Sequence, residues 1–155
     1  MKKQIRLSVN SENYELLVES NLTLIDLLRD QLGLIGTRAG CDSGACGSCT
    51  VLVDGEPMVS CLTLAVRSHN KRITTIEGLA CDGKLHPLQE SAIAHDAVQC
   101  GFCTAGWLLT AKALLDANPA PTRPEIRAAI AGNLCRCAVY GNIEEAVVAV
   151  ASRHL

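Results

Sequence analysis

Aromatic side chains are nearly missing from this 155-residue chain: Tyr14, Phe102, Trp107 and Tyr140 make up 3% of it. So sparse a set excludes the stacking platforms on which single-stranded nucleic acids are held. Basic runs are missing too. Fourteen Lys and Arg against 16 Asp and Glu leave a net charge of -2, and without clustered cations there is no electrostatic footprint for a nucleic-acid partner. No apolar run is long enough to cross a bilayer, so no membrane partner is expected. The opening MKKQIRLSVN has two lysines but no apolar stretch, no small-residue cleavage site and no twin-arginine pair. The expected location is cytoplasmic. Dinucleotide fingerprint, P-loop and nucleophile–base constellation are absent as well. The chain therefore offers no catalytic residues and no substrate site of its own.

Cysteine is what the sequence has in excess. Nine are present, an odd number in a chain read as belonging to a reducing compartment. A disulfide framework is disfavoured there, and metal binding is the better default.

The first part of the chain has β character. QIRLSV and YELLV flank the turn NSEN, and TVLVDGEPMVS reads as two short strands about Asp54-Gly55. RITTI, Arg72 to Ile76, is a further strand. LTLIDLLRDQLG reads as a helix, with Thr23 as its cap, Asp26 at the capping-box distance and Gly33 as its stop. These elements make a small mixed sheet with one helix on it. From about Leu85 the pattern turns helical. PLQESAIAHDAV starts near Pro87, and TAGWLLTAKALLDAN is rich in Ala and Leu. TRPEIRAAIAGN has Thr122 and Glu125 at its start and Gly132-Asn133 at its end. NIEEAVVAVASRH repeats that logic with Asn142 and Glu145. Four helices predict a small bundle. The class is α+β, with the boundary in EGLACDGKLHP, residues 77 to 87.

The cysteines fall into two sets. Cys41, Cys46, Cys49 and Cys61 are spaced C-x4-C-x2-C-x11-C. The first three follow the plant-type spacing for a two-iron, two-sulfur centre. Iron takes soft thiolate ligands tetrahedrally. A loop that supplies three of them has to curl, which Gly40, Gly44 and Gly47 permit, while Ser43, Ala45 and Ser48 keep bulk away. The curled backbone turns N–H groups toward the sulfurs, as an anion nest does. Structural zinc is the rival, although zinc sites more often pair two C-x2-C units or add histidines. Cys100, Cys103, Cys135 and Cys137 are spaced C-x2-C-x31-C-x-C, each pair at a helix end. That spacing alone admits an iron–sulfur cluster or zinc; a thioredoxin-like pair lacks its βαβ surroundings.

GCDSGACGSCTVLVDGEP with SCLTLA, then QCGFCTAG and AGNLCRC, together resemble the small iron–sulfur subunit of the molybdenum hydroxylases. This family includes xanthine dehydrogenase, aldehyde oxidoreductase, carbon monoxide dehydrogenase and hydroxybenzoyl-CoA reductase. The resemblance covers nearly the whole chain, and all eight cysteines match in order and spacing. It implies a β-grasp plant-type ferredoxin domain over 1–78 and a four-helix bundle over 84–155, each with a 2Fe-2S cluster. It implies a large molybdopterin-binding partner beside the bundle cluster. It further implies a medium FAD-binding partner or other acceptor beside the first cluster, in a heterotrimer or its dimer. Gln99 would hydrogen-bond the pterin, and the Cys137 side would lie close to it. Gly40, Gly44, Gly47 and Gly101 count as cofactor-binding. The implied function is electron relay between molybdopterin and flavin, reversed in reductase members. Two departures bear on that pterin contact: Ala105 where the family has proline, and Ala138-Val139 where it has threonine and glycine.

Two other classes compete. A free two-cluster ferredoxin would carry a strongly acidic docking face, which a net charge of -2 does not supply. A zinc-stabilised interaction module would be colourless. Cys81, the ninth cysteine, is read as a bystander thiol. His69, His86, His95 and His154 are read as surface or capping residues, Trp107 as core or subunit interface, and Asp42 as a solvated turn residue. Arg136, between two ligands, either raises its cluster's potential or makes a salt bridge.

Overall fold

Strict alternation sets the first hairpin. β1 (Lys2–Val9) buries Ile5, Leu7 and Val9 on one face and pairs antiparallel with β2 (Glu12–Glu19). Asn10 and Ser11, at φ 50 and 71, form the two-residue turn between them. Asp54 and Gly55, at φ 53 and 94, do the same between β3 (Thr50–Val53) and β4 (Glu56–Val59). β5 (Arg72–Thr74) enters the middle, parallel to β1 and antiparallel to β3, giving the order β2-β1-β5-β3-β4. The strand expected to run to Ile76 ends at Thr74. There Asn10 takes over as partner: its side chain accepts from Thr75 N–H at 2.9 Å and donates to Thr75 Oγ1 at 2.9 Å.

These features belong to a computed structural model that describes residues 1–152. His154 and the end of the segment expected over 84–155 lie outside the described residues. Among them the class is α+β, with a five-stranded sheet and five helices. No described helix is long and apolar enough to cross a membrane.

α1 (Leu24–Asp26) starts where expected, with Thr23 Oγ1 accepting from Asp26 N–H at 3.3 Å. Its continuation, Leu27–Gln31, winds as a π-helix rather than an α-helix, and Gly33 at φ 71 follows it. Leu24, Leu27 and Leu28 are fully buried against Ile5, Leu7, Val9, Val51 and Ile73.

The second half builds another core. α2 (Pro87–Ala94) has Pro87 at its first position, where a missing N–H costs nothing. His86 caps it: its Nδ1 accepts from Leu88 N–H at 3.2 Å, and its own N–H donates to Gln89 Oε1 at 2.9 Å. α3 (Thr104–Ala117) lies along β3, so β3 is buried nearly throughout. α4 (Arg123–Ile130) has the expected Thr122/Glu125 capping box. α5 (Tyr140–Ala151) corrects an expectation. It begins at Tyr140, ahead of the expected cap Asn142, because Val139 is buried in the core and its C=O accepts from Ile143 N–H at 3.0 Å. Asn142 instead donates to His95 C=O at 2.9 Å. Trp107, Leu108, Ala111, Ile126, Ile143 and Val147 centre this core. Glu144 ties α5 to Arg123 and Arg127 of α4 at 2.9 and 2.6 Å.

Candidate functional site

The Gly/Cys loop leaves the α1 region and re-enters the sheet at β3, and the β3–β4 hairpin returns the chain to it at Cys61. Gly44 and Gly47 take left-handed backbone, at φ 74 and 68. Gly40 does not, and its need is space: a Cβ there would lie 2.9 Å from Cys46 Sγ and 3.1 Å from the Phe102 ring. Gly101, at φ 80, has nothing near it. The structure brings the first four cysteines together as two pairs. Cys41 meets Cys46, whose N–H donates to Cys41 Sγ at 3.4 Å, and Cys61 meets Cys49. Hydrogen bonds from the Ser43 side chain, then from the Ser43 and Cys46 backbones, hold the Cys41 thiol down to about 6. Burial, then the Cys49 thiol, pushes Cys61 up to about 11.

The second four repeat the arrangement from helix ends. Cys100 and Cys103 precede α3, while Cys135 and Cys137 lie in the turn between α4 and α5. Cys100 pairs with Cys137 and Cys103 with Cys135. Phe102 N–H, then the Cys137 thiol, lowers Cys100. Burial, then Cys135, pushes Cys103 up to about 12. Against its burial, Cys135 is lowered by the N–H groups of Val139, Cys137 and Ala138 and by the Cys103 thiol. Cys135 N–H itself donates to Tyr140 Oη at 2.7 Å.

Each set gathers four thiols, two against two. A single tetrahedral ion needs its ligands to converge on one point. Pairs of thiols in a curl of inward N–H groups fit a two-iron, two-sulfur group, in which each iron takes two thiolates and the sulfurs accept hydrogen bonds.

The two sets touch. Leu134 N–H donates to Cys46 C=O at 2.9 Å, and Asn133 Nδ2 donates to Gly47 C=O at 3.0 Å. One short bonded path therefore runs from Cys46 across a hydrogen bond into Leu134 and on to Cys135. A cleft of 440 Å³ opens beside it, lined by Gly40, Cys46 and Ser48 on one side and Cys100, Cys103, Cys135 and Arg136 on the other. A groove of 490 Å³ over Arg6, Tyr14 and Arg72 is larger but contains no cysteine.

Close packing makes this seam possible. A Cβ on Gly106 of α3 would stand 2.3 Å from Gly47 C=O, and one on Gly47 would stand 2.3 Å from Gly132 C=O. Asn133, Gly106 and Tyr140 carry the seam and the second turn, and sequence reasoning gave them no site role. Asn133 had been expected only as a helix stop. A signal was present in an amide side chain just before C-x-C, but its partner is 86 residues away.

Gln99 lies beside Cys100, exposed and outside the cleft lining. Ala105 is buried in the first turn of α3. At the second departure the left-handed residue is Ala138, at φ 60, while Val139 has φ -83 and fills the core. Cys81 is exposed in the turn it closes with Lys84. Asp42 is exposed at φ 52, Trp107 is core, and His69 Nδ1 accepts from Arg6 N–H at 3.1 Å.

Comparison with known proteins gives concordant matches. Residues 7–86 match the family model described as a 2Fe-2S iron-sulfur cluster binding domain, and residues 75–148 the one described as a 2Fe-2S binding domain. The nicotine 6-hydroxylase small subunit of Paenarthrobacter nicotinovorans is 48% identical, over 94% of this chain and 87% of that one. The nicotinate dehydrogenase small FeS subunit of Eubacterium barkeri is also 48% identical, over 94% and 93%. Among solved structures, quinoline 2-oxidoreductase from Pseudomonas putida 86 superposes with a TM-score of 0.93 at 49% identity, covering 97% of this chain and 94% of that one.

Proposed function

The chain belongs to the family of 2Fe-2S small subunits of the molybdenum hydroxylases, and on that premise we propose that Cys41, Cys46, Cys49 and Cys61 hold one cluster and Cys100, Cys103, Cys135 and Cys137 the other. The protein is an electron-transfer subunit of an oxidoreductase complex and performs no substrate chemistry itself. When bound, each cluster would take up and return one electron; plant-type centres, whose spacing only the first set follows, run at about -400 mV, and burial and hydrogen bonding adjust such potentials.

The protein's own residues supply position and electrostatics. Backbone N–H groups of Cys46, Phe102 and Val139 face ligand sulfurs and favour added negative charge there. The Cys46–Leu134 hydrogen bond joins the two ligand loops. That bond carries the proposal, since it offers a short route between the two loops. Residues 1–78 are read as a β-grasp ferredoxin domain, supported by a helix crossing a mixed sheet. Residues 84–155 are read as a four-helix bundle, supported by α2 to α5 sharing one core. The bundle cluster is assigned to the side of a large molybdopterin subunit, with exposed Gln99 reaching the pterin and the Cys137 turn beside it. The other cluster faces an FAD subunit or another acceptor, in a heterotrimer or its dimer in the cytoplasm. Gly40, Gly44, Gly47 and Gly101 shape the two ligand loops.

Two experiments test this. A tagged chain purified from its native host brings down a large molybdenum-binding chain; recovery as a lone monomer contradicts the partner assignment. Cys49→Ser and Cys135→Ser should each halve the iron and abolish a different one of two EPR signals. Loss of the same signal in both variants would break the four-and-four assignment.

A further inference from the structure

Trp107 is the chain's only tryptophan, buried to 1% exposure, and its Nε1–H has no hydrogen-bond partner among the described residues. Burying a donor unpaired costs about 1–3 kcal/mol. A native protein that keeps one generally has an acceptor other than its own side chains, such as a water, an ion or a cofactor.

α3 indicates where this donor points. Cys103 is itself helical, at φ -83 and ψ -9, and its C=O accepts from Trp107 N–H at 3.2 Å. The two residues therefore share one stripe, a single turn apart. Long helical side chains lean toward the N-terminus and cover the turn before their own Cα. For Trp107 that turn carries Cys103. Both residues belong to the buried group that also contains Cys135, the Cys103 partner.

We propose that Trp107 Nε1–H donates a hydrogen bond to a sulfur of the bundle cluster and raises its reduction potential relative to the ferredoxin-type cluster. This rests on the assignment of Cys100, Cys103, Cys135 and Cys137 as its ligands. Reduction adds one negative charge, shared with the sulfurs, and a donor aimed at them favours that form. Backbone N–H groups serve both loops, but an indole serves only this one. The indole thus sets two otherwise similar centres apart.

In the assembled complex, Trp107→Phe removes the N–H and leaves a ring in the core. Redox titration followed by EPR should show the oxidised-to-reduced ratio of the bundle cluster rising about tenfold at its wild-type midpoint. For a one-electron couple that is a fall of about 59 mV. The other cluster should not move. Unchanged potentials with iron retained overturn the proposal. If the variant fails to assemble, the wild-type complex decides: with 15N-indole tryptophan, pulsed EPR of the reduced bundle cluster shows a 15N coupling, and its absence overturns the proposal. Cys135→Ser separates the two levels. Loss of half the iron upholds the ligand assignment whatever Trp107 does, whereas full iron retention sinks both.

Discussion

Ala138 holds φ 60 between the last cysteine and α5. The left-handed region costs a residue with a Cβ roughly 1–2 kcal/mol, and glycine escapes that cost while adding about 0.4–1 kcal/mol of unfolded-state entropy. Strain is the larger effect. Ala138→Gly should therefore raise stability by about 0.5–1 kcal/mol, seen as a higher Tm with both EPR signals unchanged. An unchanged or lower Tm would mean that the turn is not strained. Nothing in LCRCAVY marks Ala138 for this conformation; it is imposed by folding Cys135 and Cys137 back toward α3. The grouping of the cysteines into two sets was legible from their spacing, and the structure gathers each set. Asn133 was not, since one residue's context cannot announce a carbonyl on a distant loop.

Helices were legible to the degree that their ends are local. Thr122 with Glu125 and Thr23 with Asp26 cap as their spacing predicts. Asn142 carried the same local signal and lost, because burying Val139 extends α5 backward past it. β3 lacks alternation because α3 covers the face that a free hairpin would expose. α4 and α5 are pinned by Glu144, whose carboxyl is held down to about 2 by Arg127 and then Arg123. A carboxylate whose folded value lies below its unfolded value of 4.5 adds stability above that pH, and loses it as pH falls through 4.5 toward 2. Glu144→Gln should remove that contribution and lower stability near pH 7. Its acid unfolding curve between pH 4.5 and 2 should then be flatter than wild type, followed by far-UV circular dichroism. Parallel curves would show that the pin contributes nothing.

At the scale of the whole molecule, the seam between Gly47, Gly106 and Asn133 governs how the halves behave as one. Gly106→Ala is a close test of opposing magnitudes. Helix propensity alone favours alanine by about 1 kcal/mol. The new Cβ, however, would meet Gly47 C=O at 2.3 Å, a backbone atom that no rotamer can move. Overpacking of that kind costs about 1–3 kcal/mol, so the clash wins. The variant should lose about 1 kcal/mol and pass electrons between its clusters more slowly in flash-photolysis measurements, with each cluster's own spectrum retained. Equal rates would mean that the seam is not the conducting contact. Sequence spacing showed two sets of four cysteines; their mutual approach was hidden, since it depends on two glycines that look like any loop or helix glycine until their neighbours are known.

Within each set the thiols differ in how readily they can be reached. Cys49, Cys61, Cys103 and Cys135 are buried within the cores of their own halves, at 1%, 8%, 8% and 8% exposure, whereas Cys100 is exposed and Cys41, Cys46 and Cys137 are half-buried. Incoming iron would meet the reachable thiols of each set first and the buried ones last, so filling should be limited by how often each core loosens. A stripped chain should then refill faster in mild denaturant, which loosens those cores, than under native conditions, and equal rates would mean that the buried thiols are no barrier.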